Sequence, residues 1–307
     1  MTPKPSTGKP LIDTGSGYQQ RDQDIVDYQL WKLSTPQMDF LLRGQRPQRL
    51  EQGQYIAHLG AAFTFGRFVP QPYPALLSAA LNLDALNLGF AGIGPAFFND
   101  PRHSGLIDWI NRAKFATILV FSGRSQATSR FPTAPYSQEQ YILENGKVVP
   151  ADFAYQQLLN HESPETLALL VEETRSRYLE EFSRLLDQIT VPKVLVWFAK
   201  RKPDYQESYQ SLFKLFSNFP HLVNRPMMDQ LSAQCDAYVE YSGTVGMPQP
   251  LISRWTGEAT TITRPRDYQQ GKIQLANSTL THNGYYPSPE MHQAVTQLLI
   301  PKCQAFL

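Results

Sequence analysis

Two apolar runs that do not alternate constrain this chain more than any other feature. Ala116–Phe121 reads ATILVF and Lys193–Phe198 reads KVLVWF. A strand with one face in water alternates apolar and polar residues, whereas a run that is apolar almost throughout has both faces covered. Tyr55–Leu59 and Ala85–Leu88 are shorter runs of this kind, and Ala237–Tyr241 is a fifth. Between them, apolar residues recur at helical spacing. Pro74–Leu83 carries Leu76, Leu77, Ala80 and Leu81, and the pattern returns in Gly105–Ala113, Ser163–Ile189, Tyr205–Phe216, Pro226–Gln234 and Pro289–Leu299. Ser163 before Pro164 is a helix N-cap in sequence. Buried strands alternating with helices predict a three-layer α/β/α fold with a mostly parallel sheet of about five strands.

The remaining stretches fit that frame less well. Met1–Asp24 is rich in Thr, Pro, Ser, Gly and Gln and reads as a mobile tail or surface arm. Val26–Arg49 offers Trp31, Met38, Phe40 and Leu41 for packing and is expected over the edge of the sheet. Residues 1–54 are therefore taken as a tail and edge segment, and 55–307 as the α/β domain. Arg124 to Ser163 interrupts the helix–strand rhythm. It reads as a long insertion loop with the turn Asn145-Gly146 and the aromatics Phe131, Tyr136, Tyr141, Phe153 and Tyr155. Loops of this length are commonly functional or disordered. Gly243–His282 is extended and rich in Pro and Thr.

Composition narrows the partners. Lys plus Arg number 28 against 27 Asp plus Glu, a net charge of +1. That balance argues against duplex nucleic acid or an anionic membrane as a whole-molecule partner. No window approaches the ~20 apolar residues of a membrane span, and the N-terminus has no apolar signal-peptide core. Cys235 and Cys303 stand far apart and make no zinc pattern. Two free thiols and a cytoplasmic location are the expectation, with no metal.

Three blocks carry a resemblance. Gly60-Ala61-Ala62-Phe63-Thr64-Phe65-Gly66 follows the first strand. Tyr73-Pro74-Ala75-Leu76-Leu77 and Leu86-Asn87-Leu88-Gly89-Phe90-Ala91-Gly92-Ile93-Gly94-Pro95 come next, and Asn283-Gly284-Tyr285-Tyr286-Pro287-Ser288-Pro289 lies near the C-terminus. In order and spacing these resemble the blocks of the SGNH/GDSL hydrolases, whose turns read like GDSFTFG, NLGxxGxG and DGxHPS. The resemblance spans about Tyr55 to Leu299 and implies a flavodoxin-like, SGNH-type sheet. The longer string GAAFTFGRFVPQPYPALL resembles an uncharacterised family of bacterial proteins. The hydrolase triad does not carry over. Its Ser falls on Ala62, its His on Tyr286 and its Asp on Asn283, and where the third block should supply an Asn the chain reads Ser122-Gly123-Arg124-Ser125-Gln126. Ser–His–Asp chemistry needs a nucleophile activated by a base. The resemblance thus implies the scaffold without its usual reaction.

Ligands of open parallel sheets bind beyond the carboxyl ends of the strands. The residues expected there for substrate are Gly60, Thr64, Arg67, Gly89, Gly92, Ser125, Gln126 and Tyr286, with the backbone N–H groups of Gly89 and Gly92 free for an anion. Arg124, Arg130 and His292 are the expected catalytic residues, and Lys200-Arg201-Lys202 adds charge after the fourth strand. Arginine forks suit phosphate, sulfate or carboxylate. The leading expectation is a transferase acting on an anionic or carbohydrate-type substrate, a small molecule or glycan. A sulfotransferase using adenosyl phosphosulfate is its sharpest form. The alternatives are a non-catalytic carbohydrate- or anion-binding protein, and a residual esterase using Thr64 or Ser125. His58, inside the first strand, reads as a satisfied core histidine. The glycine run 89–94 lacks the spacing of a dinucleotide loop.

Overall fold

Five strands form one all-parallel sheet: β1 (Tyr55–Gly60), β2 (Asp84–Gly89), β3 (Phe115–Leu119), β4 (Lys193–Ala199) and β5 (Ala237–Ser242). Their order across the sheet is β2-β1-β3-β4-β5. The chain moves outward from β1 to β2, then returns across β1 to β3, so the order reverses between β1 and β3. That reversal is the flavodoxin-like arrangement, and it opens a crevice at the carboxyl ends of these two strands. The computed structural model describes residues 9–13, 17–134, 137–263 and 279–307. Residues 1–8 and 14–16 of the expected tail, Tyr136 of the insertion, and 264–278 of the Pro- and Thr-rich stretch lie outside the described residues.

The apolar runs predict the sheet because its central strands are buried on both faces, while the edge strand β5 buries only Val239. Every residue of β1 and β3 is buried, and in β4 only Lys193 is not. Six helices of seven residues or more accompany them: α1 (Tyr73–Ala80), α2 (Ser104–Ile110), α3 (Ala151–His161), α4 (Pro164–Gln188), α5 (Arg225–Ser232) and α6 (Pro289–Cys303). α1 packs against α6 to form one group, while α4 packs against α5 and a short helix at Pro95–Asn99 to form the other. The expected cap of α4 is in place, with the Ser163 hydroxyl accepting from the Thr166 N–H at 3.3 Å. Its apolar stripe of Tyr178, Phe182, Leu185 and Leu186 is buried.

Three segments differ from expectation. The 124–163 insertion is no loop. Thr133–Ala134, Ser137–Ile142 and Val148–Pro150 form an antiparallel sheet turning at Asn145-Gly146, and α3 follows directly. It folds because Phe131, Tyr141 and Tyr155 make a second core with Leu167, Leu170 and Val171 of α4. The predicted Tyr205–Phe216 helix shrinks to Leu212–Phe216. Upstream of it, Tyr205 covers the Arg201 guanidinium and Glu207 accepts from Arg175, and these contacts hold the chain extended. Nor is the N-terminal region wholly a surface arm. Leu11–Asp13, Asp39–Leu42 and Trp31–Ser34 form a small sheet, and Asp22 is fully buried.

Four histidines are buried, and burial lowers the pKa of each: His103, and three that no carboxylate offsets, His58, His221 and His292. His58 in β1 is hydrogen-bonded through Nδ1 to Thr117 (2.8 Å) and through Nε2 to Ser78 (3.1 Å), as a satisfied core histidine should be. His292 in α6 accepts from the Tyr73 N–H at 3.0 Å. Burial pushes both rings down to about 3, with Arg43 adding to the effect on His292. Burial, followed by the Arg124 and Arg201 charges, pushes His221 well below its ordinary value. All three are neutral in the fold, whereas in the unfolded chain each takes up a proton near pH 6.5. Stability is therefore full above pH 6.5 and falls as pH drops toward the folded values, because the unfolded state then binds more protons. Between about pH 6 and 5 the three rings together remove on the order of 4 kcal/mol per pH unit. Urea titrations over this range should show at least that slope and an uptake of about three to four protons on unfolding, His103 adding to the three. A flat profile would show the rings to be charged or exposed in the folded protein.

Candidate functional site

A cavity of about 280 Å³ lies at the carboxyl ends of β1, β2 and β3, at the point where strand order reverses. The turn after β1 supplies Ala61, Ala62 and Phe63, the turn after β2 supplies Ala91 and Gly92, and the turn after β3 supplies Arg124. Tyr285 and Tyr286 come from the last block, and Phe219 from the loop before α5. The remaining walls are Tyr18 and Arg21 of the N-terminal segment and Glu139, Gln140 and Pro150–Asp152 of the insertion. Phe63 meets Phe219 at 4.3 Å between ring centroids and Tyr285 edge-on at 6.0 Å. One side of the cavity is thus aromatic. Tyr285, 45% exposed, stands at its mouth.

The polar side centres on Arg124. Its side chain is 12% exposed, donates from Nη1 to the Asp152 carboxylate, and places Nε 3.6 Å from Glu139 Oε1. Nε has no hydrogen-bond partner among the described residues. Burial alone would push the guanidinium down, but the two carboxylates outweigh it and hold it above its ordinary value. The turn that presents Arg124 is anchored from behind. Gly123 N–H donates to His221 O (2.8 Å), Ser122 Oγ is hydrogen-bonded to His221 Nδ1 (3.0 Å), and Tyr141 OH donates to Arg124 O (2.7 Å).

Of the residues expected at the site, the structure gathers Gly92, Arg124 and Tyr286 around the cavity. The others are used elsewhere. A Cβ on Gly60 would stand 2.0 Å from Thr64 Oγ1, and one on Gly89 would stand 2.2 Å from Phe65 N. Both glycines therefore allow close packing rather than ligand contact, and the Gly89 N–H already donates to Asn87 Oδ1. Thr64 is fully buried against the Tyr73 hydroxyl. Ser125 donates to Ser122 O at 2.6 Å, and Gln126 is buried outside the cavity wall. Arg130 is exposed and pairs with Glu162. His292 lies in the helical layer, stacked on Tyr73 with its ring edge-on to Phe198, and its depressed pKa makes it a poor base. Arg201 donates to the carbonyls of Lys202, Asn218, Pro220 and Val223, and Lys200 to that of Gly284. The cations read as an anion clamp do not converge, so the basis for a sulfuryl-transfer site is lost.

Arg67 shows the pattern most clearly. Its Nε and Nη2 donate to Asp22 at 2.8 and 3.0 Å, and Nη1 donates to the Tyr286 hydroxyl at 3.2 Å. The guanidinium is covered by the rings of Tyr18 (4.2 Å) and Phe68 (4.4 Å). Tyr18 OH reaches Tyr286 OH at 3.2 Å, and Asn283 Nδ2 donates to Tyr286 O while its Oδ1 accepts from Tyr286 N–H. Tyr286 is thus tied to a buried ion pair. A larger cavity, about 780 Å³, lies at the sheet edge between Arg43–Gln48 and α1. Its deep polar groups are satisfied within the protein, Arg43 by the carbonyls of the 65–70 turn and Ser78 by His58.

Glu139, Asp152, Phe219 and Tyr285 were not among the expected residues. Tyr285 adjoins Tyr286, an expected substrate residue, and both carboxylates lie in the insertion, a length of chain whose expected reading is functional or disordered. Their acidic sign ran against the anion reading. Removing one partner of a buried ion pair leaves an uncompensated charge. Arg67→Ala should cost about 3–5 kcal/mol in denaturant unfolding, while Asp22→Leu with Arg67→Met should recover most of that loss. A single variant within about 0.5 kcal/mol of the parent would mean that the pair holds nothing.

No curated protein matches this chain. Among solved structures, six chains show a likeness, three of them as follows. One is a Corynascus thermopiles (Myceliophthora fergusii) carbohydrate esterase family 2 enzyme plus carbohydrate-binding domain, at 11% identity over 89% of this chain and 70% of that one, TM-score 0.38. Another is a gut microbial diltiazem-metabolizing enzyme, at 11% identity over 82% of this chain and 47% of that one, TM-score 0.44. The third is a Lactobacillus plantarum protein, at 12% identity over 83% and 98%, TM-score 0.38. No helix among the described residues is long and apolar enough to cross a membrane. The model of one family, a domain of unknown function designated DUF6473, matches residues 17–134 and 154–254, and the chain belongs to that family.

Proposed function

We propose that this protein is a non-catalytic carbohydrate-binding protein built on an SGNH-like scaffold, with the strand-end cavity as its ligand site. One observation carries the reading. Among the residues lining the cavity there is no Ser, Thr, Cys, His or Lys. The cavity therefore lacks the Ser, Thr or Cys nucleophile and the His base of acyl-transfer triads, and its two carboxylates, Glu139 and Asp152, both lie against the Arg124 guanidinium. Ala62 stands where the hydrolase serine falls in the resemblance, and the two alternative nucleophiles, Thr64 and Ser125, are buried and hydrogen-bonded within the protein.

The groups that are present suit a sugar. An aromatic wall of Phe63, Phe219 and Tyr285 faces Arg124, Glu139, Gln140 and Asp152. Aromatic faces take the C–H side of a pyranose, while carboxylate, amide and guanidinium groups pair with its hydroxyls. A volume of about 280 Å³ lies near the lower end of ligand pockets, ~300 Å³. That suits one sugar unit, with the rest of a glycan continuing past Tyr285 at the mouth. The rim is rigid by construction, since both the Arg124 turn and Tyr286 are held by hydrogen bonds from outside the cavity.

Binding and turnover separate the readings. A glycan panel followed by calorimetry should find a saccharide that raises the melting temperature, and Tyr285→Ala or Phe219→Ala should weaken it at least tenfold. Acyl-ester and glycoside substrates should show no turnover above buffer. Hydrolysis abolished by a substitution in the cavity would overturn the non-catalytic reading. Stabilisation by adenosyl phosphosulfate but by no saccharide would favour a transferase.

A further inference from the structure

We propose that the cavity selects neutral sugars over acidic or sulfated ones, and that the Arg124–Glu139 pair is the specificity determinant. The inference rests on the carbohydrate reading above and goes one step further, to the charge of the ligand. Arg124 Nε is a buried donor with no hydrogen-bond partner among the described residues, and it stands 3.6 Å from Glu139 Oε1. Buried donors left unpaired are costly, so such a group points to a missing acceptor. An oxygen seated about 2.9 Å from both atoms completes the triangle. That oxygen must accept from Nε and also face a carboxylate. A neutral hydroxyl does both, accepting through a lone pair and donating its proton to Glu139. A carboxylate, sulfate or phosphate oxygen can only accept, and it would meet Glu139 without a proton to give.

The charges around the gap favour the same choice. Arg21 and Arg124 are balanced in the wall by Glu139 and Asp152, so the cavity is formally neutral. Asp152 already holds Nη1 of Arg124, so an incoming anion would compete with a resident carboxylate for the same guanidinium. Glu139 cannot simply swing clear with its strand, because its N–H donates to Gly92 O at 3.3 Å and ties it to the turn after β2. Anion clamps gather cations without resident carboxylates, and this cavity does the reverse.

Calorimetry on the full chain tests the inference, with glucose, galactose and mannose set against their uronic acids and 6-sulfates in 50 and 500 mM salt. The neutral member of the pair that binds should be at least tenfold tighter, and its affinity should change less than twofold with salt, since no net charge is neutralised. Glu139→Gln keeps a partner for the hydroxyl and removes one negative charge. It should raise the acidic-to-neutral affinity ratio at least tenfold, by strengthening binding of the acidic sugar. Asp152→Asn, on a side chain 44% exposed, is the second variant should Glu139→Gln not fold, and it should shift the ratio in the same direction. Acidic sugars bound as tightly as neutral ones by the parent protein would overturn the selection and leave the carbohydrate reading standing. A neutral-to-acidic ratio unmoved by both variants would also overturn it. Binding of no saccharide of either kind would overturn the carbohydrate reading itself, and this inference with it.

Discussion

Backbone carbonyls that leave the edge of a doubly covered parallel sheet cannot all reach water, and each must find a donor. In this protein arginine supplies many of those donors. Arg43 reaches the carbonyls of Phe65, Gly66, Val69 and Pro70 in the turn after β1. Arg201 gathers four carbonyls of its own turn and the 218–223 loop, and Arg175 takes that of Leu222. Arg67 binds Asp22 and brings the N-terminal segment against the sheet. The loops that frame the cavity hold their shape because these guanidiniums, with five donors in a rigid fork, tie several acceptors at once.

The same requirement explains the chemical character of the cavity. Cations committed to the frame are not available to a ligand, so only Arg21 and Arg124 reach the space, and two carboxylates accompany them. Around the turn after β1, glycine and small side chains allow close approach, and Tyr286, Tyr18 and Arg67 form a hydrogen-bonded cluster. What remains is an aromatic wall and a balanced polar one, whose two carboxylates lie against Arg124.

Legibility in the sequence followed the range of the interactions involved. The five strands and most of the helices were readable because burial on both faces and helical periodicity are local patterns, as in ATILVF and in the capped start of α4. The predicted helix at Tyr205 failed because Arg201 and Arg175, distant in sequence, hold that stretch extended. The insertion looked like a loop because its apolar residues are aromatics spaced for packing on α4, which short-range periodicity cannot register.

The sequence by itself determined the doubly covered parallel sheet and the order of its strands and helices. Each of these depends on residue identity at a position or on a repeat a few residues long. The tertiary structure alone decided which arginines reach the cavity and which carboxylates stand beside Arg124. A guanidinium after a strand is the same group whether it meets a ligand or a carbonyl. Its role is set by the acceptors that folding brings within about 3 Å, and those come from Asp22, Asp152 and the 218–223 loop, far away along the chain.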